Sequence, residues 1–118
     1  MSPMRLPNAE HAIVDDGKIT RYLLSPTHPR GSAKAAFFES FGFRLDAWQV
    51  LASALLEHAV QHKVSNTVST QFGETFEVNG PLSSPDGRNP WVLVVWFIRN
   101  GASTPRLVTA VPSKGPRP

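Results

Sequence analysis

The sequence predicts an α+β fold, with two to three N-terminal helices packed on one face of a roughly four-stranded antiparallel sheet. Three observations carry that prediction. Apolar residues recur at three- and four-residue spacing as far as about residue 62. From Val64 onward the apolar residues Val64, Val68, Phe72, Phe76 and Val78 share parity, with mostly polar residues on the alternate positions. The run Trp91 to Ile98 is then almost wholly apolar and rich in β-branched and aromatic side chains, the composition of a central strand.

The elements follow in order. Residues 1–12 read as an extended arm, because Pro3 and Pro7 prevent an early helix. His11 to Val14 reads as a short strand or an anchored extended piece. Asp15 or Asp16 is placed to cap a first helix over roughly Gly17 to Leu24, whose apolar Ile19 and Leu23 lie four apart on one face. Pro26 and Pro29 bias Ser25 and His28 away from helical angles. Gly31 permits a tight bend, and Ser32 is placed to cap a second helix from about Ala33 to Phe41. Phe37 and Phe41 share a face of that helix, Gly42 stops it, and Phe43 folds back on the aromatic face.

A third helix is expected from Ala47 to about His62, opened by Asp46 and striped by Trp48, Leu51, Leu55 and Ala59. Val64 to Val78 gives one or two half-buried strands interrupted near Gly73. Residues 80–90 carry turn residues at almost every position and read as a loop. Asn100-Gly101 begins a hairpin-type turn, and Arg106 to Val111 returns as the last strand. Residues 1–111 are therefore expected to form a single globular domain, with 112–118, which hold three prolines, as a flexible tail.

Composition narrows the classes of function. A chain of 118 residues suffices for a modest core without staples, and the absence of cysteine excludes a disulfide framework, a thiol nucleophile and a thiolate metal site. No signal-like segment opens the chain, and Trp91 to Ile98 is too short to span a bilayer, so the expected location is the cytoplasm with no membrane partner. The formal net charge is +3, but its distribution says more, since no Asp or Glu follows Asp86 while Arg88, Arg99, Arg106, Lys114 and Arg117 do. A one-signed C-terminal third suits a phosphate-bearing or acidic partner; it also suits plain solubility.

Common catalytic motifs are absent. His58 and His62 lie four apart, but Glu57 precedes the pair rather than following His58, so the metalloprotease order is missing and no metal site is expected. No phosphate-cradling glycine loop or nucleophile elbow occurs, and no cofactor is implied. What remains is His, Lys, Arg and hydroxyl chemistry, the set that metal-independent RNA cleavage needs: one group to deprotonate the 2′-hydroxyl, one to protonate the leaving oxygen, and cations for the charge on phosphorus.

His28 is the natural acid or base, because imidazole exchanges protons near neutral pH. Arg30 and Lys34 stand at or beside the start of the second helix, where free amides favour an anion. Arg88 and Arg106 suit non-bridging phosphate oxygens, and Thr109 suits substrate positioning by a hydrogen bond. Each has an ordinary reading as well. His28 can close the turn, Lys34 can be merely solvated, and Arg106 can pair with Glu74 or Glu77 across the sheet.

The stretch Tyr22 to Phe38, written Tyr-Leu-Leu-x-Pro-x-His-Pro-x-Gly-x-x-Lys-Ala-x-x-Phe, resembles the signature of a bacterial domain of unknown function. That domain occurs as small stand-alone proteins and as the C-terminal payload of polymorphic toxins. The resemblance extends over Leu6 to Glu10, Ile13 to Asp15, Phe41 to Phe43, Gly73, Gly80 to Leu82, Gly87-Arg88, Trp96 to Arg99 and Pro105 to Thr109. Helices followed by a four-stranded antiparallel sheet also resemble the barnase, RelE and EndoU-like ribonucleases. The resemblance implies an active face on the open side of the sheet, reached by His28, Arg88, Arg106 and Thr109, and a cognate antitoxin or immunity protein as partner beside RNA. The alternative is a non-catalytic protein- or nucleic-acid-binding module, such as an antitoxin or a phage-associated accessory factor.

Overall fold

The computed structural model describes residues 5–29 and 32–115. The arm is anchored rather than loose. Asn8, in a left-handed conformation (φ 55°), opens a 3-10 turn over Ala9–His11, and its side-chain amide donates to the Ser103 carbonyl at 2.7 Å. Ile13 then forms a parallel bridge to Arg106, its amide donating to the Pro105 carbonyl at 2.9 Å and its carbonyl accepting from the Leu107 amide at 3.0 Å.

Helix α1 (Asp16–Lys18) runs straight into a π-helical turn over Ile19–Leu23, in which the Leu24 amide donates to the Ile19 carbonyl at 2.8 Å. The predicted first helix is thus present, but its C-terminal part is wound wider than an α-helix. The wide turn buries Ile19, Leu23 and Leu24 completely while leaving Tyr22 half-buried on the flank. Asp15 occupies the N-cap position, yet its carboxylate makes no capping hydrogen bond. Neither of the two expected caps closes this helix: Asp16 is its first helical residue, and the Asp15 carboxylate pairs with Arg106 instead.

Helix α2 (Ser32–Ser40) ends at Gly42, whose φ of +99° an L side chain would rarely adopt. Phe38 is the fully buried aromatic of this helix, and Phe37 and Phe41 pack beside it half-buried. Phe43 does fold back, meeting Phe38 edge-on at 6.0 Å between ring centroids. A 3-10 turn over Leu45–Ala47 leads into α3 (Trp48–Gln61), which buries Leu51, Ala54, Leu55, His58 and Ala59. His58 thus extends the predicted apolar stripe with a polar ring.

Four strands, β1 (Val64–Thr70), β2 (Gly73–Pro81), β3 (Trp91–Arg99) and β4 (Arg106–Pro112), pair antiparallel in chain order, the α+β arrangement the sequence predicts. Phe76, Val78, Val92, Val94, Trp96, Leu107 and Ala110 are buried in one core with the helices. Residues opposite one another across an antiparallel pair share a face. The pairs Val95–Thr109, Phe97–Arg106 and Leu93–Val111 therefore lie on the other face, where these side chains are half-buried or exposed.

Two devices hold the register. A Cβ on Gly73 would stand 2.2 Å from the Ile98 carbonyl oxygen, so only glycine lets β2 begin this close to β3. The β1–β2 turn is also tied to the β3–β4 turn, since Asn100 donates from its amide to the Phe72 carbonyl and from its side chain to the Gln71 carbonyl. Beyond β4 the Ser113 amide donates to the Trp91 carbonyl at 2.9 Å, so packing on the sheet continues past Pro112.

Candidate functional site

The π turn and the middle of β4 converge on an open cleft of about 710 Å³, lined by Asp15, Gly17, Lys18, Arg21, Tyr22, His28, Val108 and Thr109. Tyr22 is its hub. The phenolic oxygen lies 3.0 Å from Thr109 Oγ1, and the ring meets the His28 imidazole edge-on at 5.0 Å between centroids. Lys34 Nζ lies 5.3 Å and Lys18 Nζ 5.7 Å from the centre of the same ring. Local chain chemistry explains the convergence. Leu23 and Leu24 drive the π turn into the core, and the segment of Pro26 and Pro29 then reverses the chain so that His28 returns beside Tyr22.

Electrostatics follow from those contacts. Burial raises the Tyr22 pKa, but the hydrogen bonds with Thr109 and Lys34 and the charges of Lys34 and Lys18 outweigh it, leaving the phenol below its ordinary value. Such a group releases its proton more readily than a solvated tyrosine does.

The predicted site residues divide clearly. His28 and Thr109 line the one cleft, and Lys34 reaches the ring at its centre. Arg106 stands on the rim, its guanidinium 3.3 Å from the Asp15 carboxylate, so its partner is neither Glu74 nor Glu77. This ion pair is what occupies Asp15 in place of capping α1. Both members are half or more exposed, so the pair contributes little to stability and either is accessible to another partner. Arg30 lies outside the described residues.

Arg88 lies elsewhere. It stacks 4.4 Å over the Phe41 ring, its Nε is 2.6 Å from Asp86 Oδ2, and it donates to the Ser40 carbonyl at the end of α2. It acts there as a C-terminal cap and a loop brace, and the cleft is not lined by it. Three groups of the cleft were not among the predicted site residues, although Tyr22 opens the signature stretch. Tyr22, Lys18 and Arg21 stand within one turn of the first helix, and only the four-residue interval from Lys18 to Tyr22 hints that they share a face.

The two helical histidines have a structural role. His58 Nε2 donates to the Gly80 carbonyl at 3.1 Å and His62 Nε2 to the Pro81 carbonyl at 3.0 Å, with the rings edge-on at 4.7 Å. They fasten the end of α3 to the end of β2. Among the described residues no group of three or more His, Asp or Glu side chains is placed to hold a metal ion. No described helix is long and apolar enough to cross a membrane.

Comparison with solved structures finds the same fold in a chain of the contact-dependent growth inhibition toxin–immunity protein complex from Klebsiella pneumoniae 342. The TM-score is 0.70 at 15% identity, covering 91% of this chain and 97% of that one. At that identity the likeness is one of fold. Among curated proteins no sequence matches. The model of one family, a domain of unknown function termed DUF6883, matches residues 5–114, and the chain belongs to that family.

Proposed function

We propose that this protein is a small toxin-type ribonuclease that cleaves RNA phosphodiester bonds without a metal ion and is neutralised by a cognate immunity protein or antitoxin. The observation that carries the proposal is that the His28 imidazole, packed on the Tyr22 ring, lines the same open cleft as the hydrogen-bonded Tyr22 and Thr109 hydroxyls, with Lys18 and Arg21 in its wall and Lys34 over the Tyr22 ring. A phosphodiester fits such a set. The amines and guanidinium groups balance its charge, and they match the charge that builds on phosphorus in the transition state. His28 serves as the proton acceptor from the 2′-hydroxyl, and Thr109 and Arg106 position the substrate. Lys34 holds the phosphate, with Arg30 as a further candidate for that role.

The toxin context draws support from two directions. One is the fold shared with a chain of a toxin–immunity protein complex. The other is the signature from Tyr22 to Phe38. The acid-free stretch after Asp86 suits an acidic inhibitor as well as RNA, and an RNA substrate makes the cytoplasm the place of action.

The test is cleavage of total RNA by purified protein in excess EDTA, with product ends analysed, beside growth of cells on induced expression. Cleavage leaving 2′,3′-cyclic phosphate ends, lost in His28→Ala together with the growth arrest, supports the proposal. Salt-sensitive RNA binding without any cleavage overturns it in favour of a binding module.

A further inference from the structure

We propose that Tyr22 is a catalytic residue of this cleft, the acid that protonates the departing 5′-oxygen of the scissile RNA linkage. The inference rests on the ribonuclease reading above and assigns the second proton transfer that the reading leaves open.

Geometry carries the assignment. Tyr22 is the group that the other candidates surround: Thr109 Oγ1 is 3.0 Å from its oxygen, the His28 ring 5.0 Å from its ring, and the Lys34 and Lys18 amines 5.3 and 5.7 Å from its centroid. It projects from a π-helical turn, a winding often found where a helix serves a site. The hydroxyl of Thr109 rotates freely enough to donate to the phenolic oxygen, which leaves the phenolic hydrogen for a substrate in the cleft.

The step balances without any further reactant. The ribose O2′ attacks the adjacent phosphorus and gives its proton to His28. The P–O2′ bond forms as the P–O5′ bond breaks, and the departing O5′ takes the phenolic proton of Tyr22. The products are a 2′,3′-cyclic phosphate and a 5′-hydroxyl. The tyrosinate left behind sits beside two ammonium groups that stabilise it, in line with the downward displacement of the Tyr22 pKa. Proton return from His28 through water resets the site.

The experiment compares two oligoribonucleotides, one with an ordinary 5′-oxygen at the cleaved linkage and one with a bridging 5′-sulfur, whose departure needs no acid. Tyr22→Phe is expected to slow cleavage of the oxygen substrate by about 10²–10⁴-fold. On the sulfur substrate the same variant is expected to stay within about tenfold of wild type, whereas His28→Ala is slow on both. Equal losses of Tyr22→Phe on both substrates overturn the assignment and leave a positioning role. A wild type that cleaves neither removes the ribonuclease reading itself, a different result.

Should Tyr22→Phe not fold, a second measurement serves. Tyr22 is the single tyrosine of the chain, so biosynthetic replacement by 3-fluorotyrosine alters this phenol alone. The basic limb of the kcat/KM pH profile then moves to lower pH. An unmoved limb overturns the assignment.

Discussion

Lowering the pH from 7 to 4.5 is expected to remove roughly 2–3 kcal/mol of folding stability through one side chain, His58. The ring is 1% exposed and donates to the Gly80 carbonyl at 3.1 Å. Burial first, and then the nearby His62, lowers its pKa from 6.5 to about 4, against hydrogen bonding to the Gly80 and Val92 backbone, which raises it. The folded state thus holds the proton less tightly than the unfolded chain, by about two and a half pH units at roughly 1.36 kcal/mol each. Between those two pKa values the unfolded chain binds more protons. Stability is therefore complete above about pH 6.5 and falls as the pH drops toward 4.

The assay is urea unfolding followed by tryptophan fluorescence at several pH values, for the wild type and for His58→Gln, whose amide can still donate to the Gly80 carbonyl. Other groups titrate equally in both proteins, so the difference isolates His58. The wild type is expected to lose roughly 2–3 kcal/mol more than the variant across this interval, a shift in melting temperature on the order of 10 °C. Parallel pH dependences in the two proteins would refute the argument, because they would mean that the buried imidazole does not resist protonation.

Three further outcomes follow from the same contacts. Gly80→Ala places a Cβ 2.6 Å from the His62 ring, which must swing away from the Pro81 carbonyl; a loss of about 1–3 kcal/mol is expected from urea midpoints. Arg88→Ala removes the contact with Phe41 and the cap on the Ser40 carbonyl, and calorimetry should register a loss of roughly 1 kcal/mol. Asp15→Asn releases Arg106 from an exposed ion pair, so the melting curve should change by less than about 1 kcal/mol. On the ribonuclease reading, the same variant binds a non-cleavable RNA more tightly and with a steeper dependence on salt.

The order and kind of the elements are legible in the sequence because burial imposes a period. Leu51, Leu55 and Ala59 mark α3, and Phe76 and Val78 mark the inward face of β2. The π turn is not legible in the same way. Its winding is set by tertiary packing, where adjacent Leu23 and Leu24 both enter the core, and no periodic pattern announces that. The site was legible in part. His28 stands out through its prolines and Thr109 through its strand; Tyr22 opens the signature, but its place at the hub of the cleft shows only when the fold brings Thr109 to it. Arg88 and Arg106 look alike in sequence as basic residues after Asp86, and only their neighbours distinguish them. One has Phe41 and the end of α2 beside it, the other has Asp15 on the rim of the cleft.

The contact between Tyr22 and Thr109 joins residues 87 positions apart, and the arm is clasped to the start of β4 by Ile13 in the same way. The cleft is therefore complete only once β4, the fourth strand in chain order, has paired with β3. A nascent chain that has emerged only as far as β3 carries the proline corner and its imidazole but lacks the hydroxyl and the wall that face them. On the ribonuclease reading, cleavage waits until β4 docks and brings Thr109 to Tyr22. Because β4 also carries Leu107 and Ala110 of the core, peeling this strand away removes the Tyr22–Thr109 contact and part of the core together.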